Sequence, residues 1–191
     1  KALKISAGPE GCTPQPLRII ATGHFRHIGA RGSFNSFVIK GTLGGFNAKI
    51  QTPSLEIANS ANCEKIHFQN CTIEKFKISE SQTIHEFQAN ACTFDEVLFQ
   101  KLPHITRFID TDLNHFSTKS KIETKYHNFE ISRSNYHSKN ILGEIFVPNL
   151  PQSSIKIGHS SIKKLYFEAD YFDSNILIEH STIYALRAVH T

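Results

Sequence analysis

The sequence predicts an all-β chain wound as a single-stranded β-helix, a right-handed solenoid of about eight coils of 18–21 residues. Three observations predict it. A short apolar phrase, Φ-x-x-Φ-x-Φ, recurs along the chain: Phe34-x-x-Phe37-x-Ile39, Leu43-x-x-Phe46-x-Ala48, Ile73-x-x-Phe76-x-Ile78, Phe94-x-x-Val97-x-Phe99, Ile162-x-x-Leu165-x-Phe167 and Ile183-x-x-Leu186-x-Ala188. With weaker copies included, every second one starts at 43, 63, 84, 105, 126, 152 and 173, in steps of 20, 21, 21, 21, 26 and 21 residues. β-Branched and aromatic residues dominate the apolar positions, with 15 Phe and no Trp, and helix signals are nearly absent. A β-sandwich also has many short strands, but it has no reason to keep a register of 21 residues. The right hand follows from coils longer than those of left-handed hexapeptide solenoids.

Residues 1–24 read as an N-terminal cap or lead-in, because Gly8-Pro9, Gly11, Pro14 and Pro16 punctuate them too densely for regular structure. Leu17-Arg18-Ile19-Ile20 looks like a first strand. The β-helix proper is expected over 25–191, first in nine-residue steps (25, 34, 43, 52) whose corners hold Gly23, Gly29, Gly32, Gly41, Gly44 and Gly45. In each phrase the fourth and sixth residues share one face of a strand. The first lies an odd number of residues earlier and reaches the interior only across a bend. Each phrase is thus a corner followed by a strand, and two phrases close a coil.

The corners repeat as well. Cys71, Cys92, Thr111, Ser160 and Ser181 recur two residues before a phrase, preceded by Asn70, Ala91, Asp110, His159 and His180. Small hydroxyl or thiol residues at an inward corner are expected to stack in a column, roughly 4.8 Å from coil to coil. Cys71 and Cys92 are then neighbours, read as a reduced pair because their Cβ vectors run parallel. The long step, from 126 to 152, places an insertion near 132–141. The final phrase is a normal coil with only Val189, His190 and Thr191 after it, so an uncovered end is expected. Lys1 and the absence of Met suggest a processed or excised piece, continuing beyond Thr191 in the native chain.

Composition excludes several function classes. An apolar share of 39% and a charged share of 20% fit one globular domain. No apolar run reaches the roughly 18–20 residues of a membrane span, and no signal peptide is visible, so no membrane insertion is expected. A net charge of +4 is not the basic stripe of a nucleic-acid binder, and no nucleic-acid partner is expected. Cys12, Cys63, Cys71 and Cys92 form neither a disulfide framework nor a CxxC pair, which weighs toward a reducing compartment.

Residues 23–50, GHFRHIGARGSFNSFVIKGTLGGFNAKI, resemble the coils of bactofilins, bacterial β-helices that polymerise end to end. Residues 63–100, with Ile66, Cys71 and Phe76 five apart, resemble pentapeptide-repeat-like proteins. The resemblance implies a β-helical scaffold in which self-association is a known property of one of the two families.

Candidate chemistry is sparse. Gly158-His159-Ser160-Ser161 lacks the closing glycine of a nucleophile elbow, and Gly41-Thr42-Leu43-Gly44-Gly45 lacks the lysine of a phosphate loop. No cofactor and no catalytic residue is expected. His159 and His180, 21 residues apart, are the weak metal candidates, though no third ligand shares their column. Glu74 and Asp95 should stack on an outward face and are the first candidates for acid–base work on a sugar. The leading expectation is a non-catalytic structural or protein-interaction module, a rigid rod that binds a protein partner or self-associates through its C-terminal coil. A carbohydrate-active β-helix is the alternative. On the insertion, Arg133, Tyr136, His137 and Lys139 are the expected binding residues.

Overall fold

A computed structural model of the protein describes residues 1–7, 17–58, 63–79, 84–119, 126–133, 140–168 and 173–189. Among them there is no helix, and every strand pairing is parallel. The strands form two ladders. One climbs from Ala2–Ser6 through His27–Ser33 and the first half of Gly45–Ala58 to Cys63–Gln69, and ends at Asn175–Glu179. The other climbs from Arg18–Phe25 through Ser36–Leu43 and the second half of Gly45–Ala58 to Thr72–Ser79, and ends at Leu186–Val189. The product is a single β-solenoid of about seven turns, close to the eight expected. Ala2–Ser6 lies within the lead-in of the sequence reading and makes the first rung, pairing Leu3 with Ile28 and Ile5 with Ala30.

The alternation of the phrase is what the ladders bury. Phe37, Ile39, Phe46, Ile73, Phe76, Phe94, Val97 and Phe99 are all enclosed, while the residues between them face outward. The phenylalanines touch one another along the axis. Phe68 meets Phe87 at 5.6 Å between centroids, Phe76 stacks on Phe87 at 5.5 Å, and Phe108 meets Phe116 at 5.6 Å. Edge and offset contacts of this kind add about 0.5–1.5 kcal/mol each beyond the burial of area.

Register departs from the sequence reading at one place. Gly45 pairs with Lys65, Lys65 with Glu86, Glu86 with Ile105, Ile105 with Asn128, Asn128 with Ser154 and Ser154 with Asn175, giving steps of 20, 21, 19, 23, 26 and 21. The copy placed at 105 therefore starts at Pro103: Thr106 and Phe108 are the buried strand residues, and Ile105 is half-exposed. Pro103-x-x-Thr106-x-Phe108 fits the phrase as well as Ile105-x-x-Phe108-x-Asp110 does, and only pairing with Phe87 and Ala89 chooses between them.

The corner column is built from two parts. Asn70, Ala91, Asp110, His159 and His180 all hold the left-handed conformation, with φ of 49–52°. This reverses the chain direction within one residue, and Asn, Asp and His tolerate it better than most. The next residue points inward and bonds twice. Cys92 Sγ accepts from the Cys71 N–H, and Thr111 Oγ1 from the Cys92 N–H, each at 3.4 Å. Thr111 Oγ1 in turn donates to the Ile109 carbonyl, and Ser160 and Ser181 donate to the carbonyls of Gly158 and Glu179, all at 2.9 Å. The same device closes the opposite corner, where Gln152 has φ 50° and Ser153 Oγ accepts from the His127 N–H at 2.8 Å. The amides of Cys71, Cys92, Ser160 and His127 thus each have a partner in the adjacent coil. Glycine does the bending earlier in the chain: Gly41 has φ 114°, and a Cβ there would sit 2.1 Å from the Gly23 carbonyl oxygen.

Cys63, Cys71 and Cys92 are buried and free, so the column holds a reduced pair. Burial pushes the Cys63 thiol up to about 12. The hydrogen bond shared with Cys71, together with burial, pushes the Cys92 thiol above the ordinary range.

Three outcomes are expected. Phe76→Asp prevents folding, because a carboxylate would stand unpaired between coils, whereas Phe76→Ala lowers stability by about 3–5 kcal/mol; chemical denaturation measures both, and a wild-type melt of the Asp variant would refute the inward assignment. Ala91→Gly stabilises by about 0.5–1 kcal/mol, since relief of the left-handed strain outweighs the added unfolded-chain entropy; a destabilised variant would mean the corner is misplaced. The raised Cys63 value means the folded state prefers the neutral thiol. Its contribution is complete below the ordinary thiol value near 9 and is lost as pH rises toward about 12. Denaturation between pH 8 and 12 should show a falling limb that Cys63→Ala makes shallower; an unchanged limb would count against it.

Candidate functional site

A parallel solenoid offers three kinds of surface: corners, flat outer faces and two ends. Sequence-derived candidates fall on each. The insertion lies between Asn128–Ser132, a strand of the first ladder, and Asn140–Val147, a strand of the second. Tyr136, His137 and Lys139 lie outside the described residues. Arg133 is at the root of the insertion, where its Nη2 donates to Asp112 Oδ1 at 3.1 Å across neighbouring coils. Its side chain is only 18% exposed and ties the root of the insertion to the corner below it.

His159 and His180 do come together. Their rings stack at 4.9 Å between centroids and 5° between planes. A metal ion lies in the plane of each imidazole that binds it, and two nearly parallel stacked planes share no such point. Among the described residues no group of three or more His, Cys, Asp or Glu is arranged to hold a metal. A second histidine stack stands at the opposite corner. His104 meets His85 at 5.9 Å and His127 at 5.0 Å, and His127 is buried with its Nδ1 bonded to the Pro103 carbonyl at 3.0 Å. The sequence reading missed it, although the spacings of 19 and 23 residues match the rung steps at that level.

Glu74 and Asp95 occupy adjacent rungs, since Ile73 pairs with Phe94 and Lys75 with Glu96. Both are exposed, and Asp95 Oδ1 accepts from Asn114 Nδ2 at 2.9 Å. The neighbouring column on this face pairs opposite charges. Lys164 donates to Glu144 at 2.5 Å, a bond that holds the carboxyl below its usual range and raises the ammonium. A hydrogen bond from Ser79 at 2.5 Å, then Lys77, likewise holds Glu56 low. Such cross-strand pairs are what a flat polar face needs.

The ends differ from the middle. In the last coil Ile176 and Ile178 are each 38% exposed and Leu186 61%, although they continue the columns of Ile155, Ile157 and Leu165, which are fully enclosed. At the other end Leu3, Ile5 and Ile19 are partly buried against the core. Charge is also uneven along the rod, which the total of +4 conceals. Residues 1–55 carry seven Lys and Arg (Lys1, Lys4, Arg18, Arg26, Arg31, Lys40, Lys49) against one acid, Glu10. A running count of charge would have shown it.

Among the described residues no helix is long and apolar enough to cross a membrane. Comparison with family models, with curated proteins and with solved structures finds no match. The chain is thus placed by its architecture: it is a parallel β-solenoid.

Proposed function

We propose that the protein is a non-catalytic structural module, a rigid β-solenoid rod whose copies join end to end, as in the bactofilins that residues 23–50 resemble. One observation carries this reading. The inward columns run without a break from the first rung to the last: Leu3, Ile28 and Phe46 begin the column that ends at Ile155 and Ile176. Ile5 and Ala30 begin a second column that ends at Ile157 and Ile178, and Ile19 shares its column with Phe37, Leu165 and Leu186. Laying the first rung of a second copy on the last rung in the same parallel register would seat Leu3 on Ile176, Ile5 on Ile178 and Ile19 on Leu186. The strand edges that no described rung covers at either end would then complete each other's hydrogen bonds. The interface is heterologous and does not close, so it generates filaments rather than dimers.

The non-catalytic part of the reading draws on Glu74 and Asp95. Both are exposed, Asp95 beside a depression of about 320 Å³, and among the described residues none encloses the pair from water.

Light scattering over a concentration series tests the proposal. The wild-type mass should rise with concentration. Ile178→Glu and Ile5→Glu, each checked for retained β-structure by circular dichroism, should be monomeric alone. Mixed, they should form dimers and nothing larger, because each keeps one intact end. A monomeric wild type at every concentration, or filaments that survive Ile178→Glu, would overturn it.

A further inference from the structure

We infer that the outer face of the second ladder carries a binding site for a neutral glycan, one sugar ring of which lies against Phe146 and Tyr166. The site is a groove of about 390 Å³ that crosses the strands Asp112–Thr118, Asn140–Val147 and Ser160–Glu168. Register builds it. His115 pairs with Glu144 and Phe116 with Ile145, so Ser117 stands one rung from Phe146, which in turn pairs with Tyr166. The outward column therefore reads Leu98, Ser117, Phe146, Tyr166, with a small residue directly below two rings. The notch over Ser117 gives the groove its depth.

The two rings supply an apolar wall. Both are half-exposed, 6.3 Å apart between centroids and 29° between planes. Among the described residues no further ring touches either of them. Ser117 is too short to cover Phe146, so aromatic surface stays open to a ligand. The face of an aromatic ring is negative and attracts C–H groups that carry partial positive charge. A pyranose presents such groups on one face and hydroxyls around its edge.

The rest of the lining suits that edge. Among the described residues, Ser117 Oγ, Thr118 Oγ1, the His115 ring and the Tyr166 hydroxyl make no hydrogen bond within the protein. They offer donors and acceptors that water occupies and sugar hydroxyls can take over. An aromatic side chain of a peptide would meet the wall but leave these groups unpaired. Charge favours a neutral ligand. Glu144, the carboxylate of the lining, is held by Lys164 at 2.5 Å, so the groove does not call for a cation. No Lys or Arg lines it among the described residues, so nothing there draws in phosphates or uronates.

Cellopentaose, maltopentaose and mannopentaose would be titrated calorimetrically at two salt concentrations, beside polygalacturonate, a single-stranded oligonucleotide and N-acetylphenylalaninamide. At least one of the neutral glycans should bind, with an affinity that salt leaves unchanged. Phe146→Ala should weaken that binding by about tenfold or more. Ser117→Tyr fills the notch and adds a cross-strand aromatic pair, so it should abolish binding in a protein that melts no lower than wild type. Lys156→Ala, on the other ladder, should bind as wild type does. Circular dichroism checks that each variant keeps its β-structure. Binding of none of the three glycans, tighter binding of the polyuronate, the oligonucleotide or the aromatic amide, or wild-type affinity in either groove variant would overturn the assignment. Repeating the titrations on Ile178→Glu separates failure of sugar binding from failure of end-to-end joining.

Discussion

Everything in this rod depends on how the chain turns its corners without stranding buried amides. A left-handed residue reverses direction, and the following Cys, Thr or Ser faces inward to accept the N–H of the coil before it. That single arrangement fixes both the bend and the stagger between neighbouring coils. Once the stagger is set, inward residues must stack column upon column, and the phenylalanine spine follows. A corner residue unable to accept would leave a buried donor unpaired, at a cost of about 1–3 kcal/mol.

Much of this was legible in the residues. The phrase foretold which side chains point inward, because a period of two within each strand is a strong signal. The hydroxyl and thiol column was visible for the same reason: it repeats at rung spacing. The left-handed backbone ahead of it was less legible. Asn70, Asp110, His159 and His180 belong to types that favour it, but Ala91 does not, and it is held there by the pairing of its neighbours. The misplaced copy at 105 shows the limit of a loose apolar pattern, since two overlapping matches differ only in which rung they meet.

The outward surface was the harder part. A polar face constrains identity weakly, so His115, Ser117, Thr118 and Tyr166 left no periodic trace, and their meeting in one groove is a product of register alone. The histidine stack at 85, 104 and 127 was hidden for a related reason: its spacing is irregular until the true rung steps are known. The ends were legible in another way. Ile176, Ile178 and Leu186 repeat the inward pattern faithfully, and their exposure follows from the lack of a described rung above them.

The continuity of the inward columns has one more consequence. Steps of 19, 23 and 26 residues all return the chain to the same column, because neighbouring rungs are aligned by strand pairing and not by a fixed residue count. Nothing in such a structure closes on itself in the way a barrel does, so it contains no internal ruler. Its length is set by how many rungs the gene encodes, and whole rungs are the natural unit by which such a rod could be lengthened or shortened in evolution while the chemistry of both tips stays the same.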